Sequence, residues 1–153
     1  MIEVEVEDEA WTDALPDAVA VVERAATAAL GAVMGDVVVL LTDDAAVRAI
    51  NARFRDRDQP TNVLSFPAAE SAAPHLGDLM LAHGVCAVEA KVQGKTLADH
   101  LTHLTVHGML HLLGRDHVEE AEAEAMEAEE RTLLASLGVA DPYRPHDPAH
   151  GDA

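Results

Sequence analysis

HGMLHLLGRDH, residues 107–117, places three histidines within eleven positions. On an α-helix, residues four apart lie on one face about a turn from each other, so His107 and His111 converge on a common point. Gly114 comes three residues after His111 and suits the left-handed C-cap that ends a helix. The turn it makes lets His117 come back toward the same point. Three neutral imidazoles suit zinc, and three protein ligands leave the fourth tetrahedral position open to water or substrate, as in a catalytic site. A histidine pair on an apolar helix can also be a packing coincidence. The helix-ending glycine and the third histidine are what turn this reading to one metal ion. Asp116 has two readings, as acceptor for the outer nitrogen of a ligand histidine or as an aspartate that stabilises the turn.

Working back along the chain, Thr96 caps a helix over 97–113, which carries the histidines and is the organising element. His100 and His103 fall on the same side as His107, one to two turns earlier. They are expected as cleft wall or as support behind the ligands, with His100 also a candidate substrate contact. A helical stretch from Gly84 breaks at Gly94. Residues 63–66, closed by Pro67, and residues 76–81 read as strands joined by a loop of small residues at 68–74. The continuous apolar run at 37–41 reads as a strand covered on both faces, and Thr42-Asp43-Asp44 caps a helix through about Arg53. Ile2, Val4 and Val6 alternate with glutamates, the period of a first strand with one buried face. A first helix opens at Pro16, carries Val19, Val22, Ala26 and Leu30, and stops at Gly31. About four strands result. Beyond the histidine motif, a last helix over 119–137 uses Met126, Leu133, Leu134 and Leu137 as its apolar contacts, and its seven glutamates between Glu119 and Glu130 read as a solvated face.

Composition bounds the function. The chain has 153 residues, room for one domain, and 49% hydrophobic residues, enough for a core. Aromatics make up 3%, which argues against a platform that stacks bases on several rings. The 28 acids against 10 bases give a net charge of −18, a surface that repels phosphate backbones. Cys86, the one cysteine, is expected as a small buried hydrophobe, and no internal disulfide is possible. The start MIEVEVEDEAW has neither the basic nor the apolar region of a signal peptide, and no aliphatic run is long enough to span a bilayer. A soluble cytoplasmic protein is expected.

The His-x-x-x-His-x-x-Gly-x-x-His spacing matches the metzincin protease skeleton, but Gly108 stands where those enzymes carry their glutamate base. Peptidase chemistry therefore lacks its base. A metal acting on a phosphoryl oxygen remains open to such a site, so phosphodiester cleavage is plausible.

Residues 107–117, with QPTNVLSFP at 59–67, the Gly77-Asp78 start of the following strand and Asp141-Pro142-Tyr143, resemble the YbeY family of endoribonucleases and ribosomal RNA maturation factors. The resemblance runs over about 37–143. It implies a single zincin-like α+β domain over 1–143, with a mixed sheet packed by helices and the metal site on a helix in the C-terminal half. The proline-rich 144–153 is expected as a flexible tail. The resemblance further implies one zinc ion on His107, His111 and His117, cleavage of single-stranded RNA, and a role in ribosome quality control and in maturing the 3′ end of the small-subunit ribosomal RNA. Partners implied are that precursor and the ribosome or a ribosomal protein, with neither DNA nor membrane. Arg115 departs from the family, which usually has a ring-bearing residue there, and this bears on packing beside His117.

Four of the ten basic residues, Arg48, Arg53, Arg55 and Arg57, fall within ten positions, interleaved with Asp56 and Asp58. Ion pairing at a helix end and loop accounts for Arg48 and Arg57. Arg55 sits where the family carries an arginine implicated in catalysis, and a guanidinium near the metal pairs with phosphate. In 60–67, Asn62 and Ser65 are candidate substrate contacts on an edge strand flanked by prolines. Two other classes stay open. One is a metalloprotease-like hydrolase; the other is a non-catalytic ribosome-assembly factor whose zinc is structural.

Overall fold

The computed structural model describes residues 1–114 and 120–142. Four strands, β1 (Ile2–Val6), β2 (Asp36–Thr42), β3 (Val63–Pro67) and β4 (His75–Ala82), form one mixed sheet in the order β1-β2-β4-β3. β1 pairs parallel to β2 and β2 parallel to β4, while β3 runs antiparallel along β4 and forms one edge. The expected α+β class and four strands are both observed. The alternation of strand side chains divides the sheet into two faces. Val37, Val39 and Leu41 of β2 and Leu79 and Leu81 of β4 point into the main core. Leu40, Leu64, Phe66, Met80 and Ala82 point to the other side.

Two helices cover the main face, α2 (Ala18–Leu30) and α5 (Leu97–Leu112). Asp17 precedes α2, so Pro16 lies before the cap and not in the first turn; Gly31 ends the helix at φ +57°. The second face carries α3 (Asp44–Arg55), whose Val47 and Ile50 pack on β3 and β4. Asp43 caps α3 by accepting from the Ala46 amide at 2.7 Å. A short α1 (Ala10–Ala14) was not legible in the hydrophobic pattern. It exists because Trp11 is fully buried in the core and its indole N–H donates to the Thr42 carbonyl at 3.0 Å. Between α4 (His83–Val92) and α5 lies Gly94, and Cys86 is buried in the core, where burial pushes its thiol far above the ordinary range.

α5 is buried on most of its circumference. Thr96 accepts from the Asp99 amide at 3.1 Å to start it. Leu101, Leu104 and Met109 enter the main core. Val106 and Leu110 pack with Ala25 of α2 and with Met126 and Leu134 of α6 (Glu120–Ser136). Gly108 faces the sheet so closely that a Cβ there would stand 2.9 Å from Leu79 Cδ2 and 3.3 Å from Ser65 Oγ. Gly77 does the same for β4: its absent Cβ would sit 2.6 Å from Leu112 Cδ2. These two glycines bring α5 down onto β3 and β4, and His103, His107 and His111 stay half-buried along one side of the helix. No helix among the described residues is long and apolar enough to cross a membrane. The expected tail, 144–153, lies outside the described residues.

Candidate metal and substrate cleft

The open side of α5 and the facing side of β3 enclose a cleft of about 450 Å³. His103, His107 and His111 form one wall, Val63 and Ser65 the other, and Arg55 stands at the rim. The three- and four-residue spacing sets the imidazoles in a column along the helix. Successive ring centroids from His100 to His103, His107 and His111 are 6.3, 6.4 and 4.8 Å apart.

The column rests on a carboxylate. Glu130, reaching over from α6, is 0% exposed. Its Oε1 lies 2.5 Å from His107 Nδ1 and its Oε2 lies 3.5 Å from His103 Nε2. A carboxylate only accepts, so Nδ1 of His107 carries the proton, and the Nε2 lone pair is what His107 offers to a ligand. A ligand imidazole held by a carboxylate behind it is the usual support of a metal-binding histidine. The expected solvated face of α6 is thus corrected at one position: Glu130 lies on the buried stripe, four residues from Met126 and four from Leu134, both in the core. A charge on an apolar stripe was the available sign that it needed a partner.

His107 and His111 are the described residues that could hold a divalent ion, and their chemistry fits one. The remaining expected ligand, His117, lies outside the described residues, as do Asp116 and Arg115. Among the described residues, no group of three His, Cys, Asp or Glu side chains is gathered as a complete metal site.

Arg55 ends α3 and crosses the outer edge of β3. Its guanidinium carbon lies 5.5 Å from the Phe66 ring centroid, and its Nη2 donates to the Ser65 carbonyl at 2.9 Å. The side chain is exposed and directed along the cleft rim. Of the expected substrate contacts, Asn62 and Ser65 line the cleft. Their polar atoms are already engaged: Asn62 Nδ2 donates to Glu89 Oε1 at 3.0 Å, Asn62 Oδ1 accepts from the Val63 amide at 2.6 Å, and Ser65 Oγ donates to the Gly108 carbonyl at 3.3 Å.

His100 does not line the cleft, and its expected contact with substrate is revised. It is 2% exposed, and its Nε2 lies 2.9 Å from Glu89 Oε1. Burial holds its pKa below the ordinary value, with the Glu89 hydrogen bond opposing. Its place is behind the wall, where Glu89 joins it to Asn62. The hydrophobic pattern of α4 gave no sign of Glu89. Arg48 pairs with Asp58 at 2.7 Å as expected, whereas Arg57 has no ion pair among the described residues.

The family model described as Endoribonuclease YbeY matches residues 2–138. A protein of Paramagnetospirillum magneticum named Endoribonuclease YbeY is 51% identical over 155 residues, covering 93% of this chain and 94% of its own length. One of Azorhizobium caulinodans with the same name is 52% identical, over 93% of this chain and 95% of its own. Among solved structures, the solution structure of TM1509 from Thermotoga maritima superimposes with a TM-score of 0.56 at 22% identity, over 95% of this chain and all of that one. The last likeness speaks for the fold alone.

Proposed function

Because the chain belongs to the Endoribonuclease YbeY family, we propose that it is a zinc-dependent endoribonuclease that cuts single-stranded RNA and acts in maturing the 3′ end of the small-subunit ribosomal RNA and in ribosome quality control. The observation that carries this reading is the facing of two kinds of group across one cleft: His107 and His111 on α5, Arg55 on the rim of β3. His107, His111 and His117 would hold the zinc, which when bound supplies Lewis-acid polarisation of a phosphoryl oxygen. The protein's own groups do the rest. Arg55, with one N–H given to the Ser65 carbonyl, offers its remaining guanidinium N–H groups to the non-bridging oxygens, where charge gathers. Glu130 fixes the tautomer and tilt of His107. Asn62 and Ser65, tied to Glu89 and to the Gly108 carbonyl, hold the opposite wall in place. A cleft of about 450 Å³ between a helix and a strand has room for a splayed nucleotide.

The metalloprotease alternative is weakened by packing. The position of its missing base, Gly108, faces Leu79 and Ser65 with no room for a side chain. The edge carbonyl of Ser65, which an extended peptide would use to add to the sheet, is occupied by Arg55.

With a net charge of −18, the protein holds free RNA weakly, and the ribosome or a ribosomal protein supplies the missing attraction in the cytoplasm. One experiment tests the activity and separates the alternatives. Zinc is measured by elemental analysis, and wild type, His111→Ala and Arg55→Glu are incubated with labelled single-stranded RNA and with casein. Cutting of RNA by the wild type alone is expected. Cutting of casein would support the protease. Bound zinc with neither activity would leave the assembly factor with a structural ion.

A further inference from the structure

A second depression of about 410 Å³ lies on the other side of Arg55, lined by Asn51, Arg57, Gln59 and Thr61 as well as by Arg55 and Val63. It shares Arg55 and Val63 with the histidine cleft, so one layer of side chains separates the two. Its size is that of a site for a small organic group, and its lining differs from the rest of the surface. In a chain with 10 basic residues against 28 acids, two arginines meet in this one groove. The other two arginines of the cluster are used elsewhere: Arg48 is held by Asp58, and Arg53 lies over the ring of Phe54. The Arg48 pair also ties up Asp58, the acid next to Arg57, and Asp56 does not line the groove.

The wall is set in advance of any ligand. Residues 56–59 are all charged or polar and exposed, and such a loop has no apolar contact to hold it. Asn51, 2% exposed, takes that part. Its backbone carbonyl accepts from the amides of Asp56 and Arg57, the latter at 3.2 Å, which caps α3, and its side-chain Nδ2 donates to the Gln59 carbonyl at 2.8 Å. The cap of α3 therefore holds the backbone at Asp56 and Arg57, and the buried Asn51 side chain holds it two residues beyond Arg57. The loop that carries Arg57 is thus tied to α3 at both ends, by the helix cap and by the buried Asn51 side chain.

We propose that this groove is the track along which the sugar–phosphate backbone of a single-stranded RNA leaves the histidine cleft, with Arg57 contacting a phosphate beyond the one at Arg55. The inference rests on the endoribonuclease reading and extends its substrate site by at least one nucleotide. Gln59 and Thr61 offer an amide and a hydroxyl to ribose or phosphate oxygens. Arg57 is thus a binding residue: it acts on strands long enough to reach it, through charge.

The test uses fluorescence anisotropy with the full chain and two end-labelled single-stranded RNAs, one of about three and one of about twelve nucleotides. Salt is varied between about 50 and 200 mM. The wild type should bind the longer strand more tightly. Arg57→Glu should weaken that binding about tenfold and make the salt dependence shallower by roughly one phosphate's worth, with the short strand changed less than about twofold. Arg57→Lys should recover most of the loss. Equal binding of both strands by the wild type, or an Arg57→Glu protein that keeps the wild-type affinity and salt slope, overturns the groove. Cleavage is scored separately. A wild type that binds as described but cuts no RNA defeats the endoribonuclease reading and leaves the groove standing. One that cuts RNA while Arg57→Glu changes nothing defeats the groove alone. Arg57 is exposed, so unchanged urea midpoints confirm that each variant is folded.

Discussion

Changing Glu130 to glutamine keeps the shape of the group behind His107 and removes its charge. The wild-type contact, 2.5 Å from Oε1 to Nδ1 at a fully buried carboxylate, is a charge-assisted hydrogen bond. Such bonds contribute about 1.5–3 kcal/mol, against about 0.5–1.5 for neutral pairs. The substitution therefore removes roughly 1–1.5 kcal/mol from the basicity and orientation of His107, close to a tenfold weakening of zinc binding. Glu130→Ala, which removes the acceptor altogether, should weaken it by about 10–100-fold. Stability should move differently. A buried charge is costly to hold in a metal-free protein, so Glu130→Gln should leave the urea midpoint of the chelator-treated protein unchanged or raise it. Zinc affinity is read by competition with a chromophoric chelator and stability by urea unfolding of the stripped protein. A Glu130→Gln protein with zinc affinity within about twofold of wild type would refute the argument. If its metal-free midpoint also fell, Glu130 would be a packing residue and nothing more.

Arg55→Ala should lower kcat for RNA cleavage by about 10²–10³ while shifting stability by less than about 0.5 kcal/mol, because the side chain is exposed. Parallel losses of stability and rate would contradict that. Gly108→Glu should cost at least about 3 kcal/mol, or fail to fold, because its carboxylate would be driven against buried Leu79, and it should gain no activity on casein. A variant as stable as wild type would disprove the close approach of α5 to β4. The pH dependence of stability should carry the signature of His100. Its folded pKa lies below the ordinary 6.5, so the unfolded chain binds the extra proton first and stability is lost as pH falls through that value. Between about pH 7.5 and 5.5 the wild-type urea midpoint should therefore drop more than that of His100→Asn, and identical slopes would show that His100 does not titrate with unfolding.

The frame of this fold is written in local pattern. Alternation marked β1, the β-branched run marked β2, and the capping residues Asp43 and Thr96 marked the starts of α3 and α5. The helix-ending glycines at 31 and 114 stand at positive φ, as their positions require. Elements made by a single long-range contact left no such trace. α1 depends on the Trp11 indole meeting the Thr42 carbonyl, a partner 31 residues away. The site divides in the same way. His107 and His111 share a wall because their spacing is helical, and Arg55 reaches the rim because it ends α3 beside the edge strand. Glu89 and Glu130 come from helices whose approach to α5 is settled by tertiary packing. His100 looked like cleft wall on a helical projection, yet α4 covers that turn of α5 and takes it out of reach.

The outer edge of β3 has its own consequence. Asn62 holds the Val63 amide, Arg55 holds the Ser65 carbonyl, and Pro67 has no N–H to present. These three fittings reduce what an incoming strand from another molecule can pair with along this edge. The arginine assigned to the chemistry thus also covers one acceptor of the sheet edge. Variants that truncate it uncover a sticky ribbon, so their turnover should be measured in dilute solution, before clumping removes active molecules from the assay.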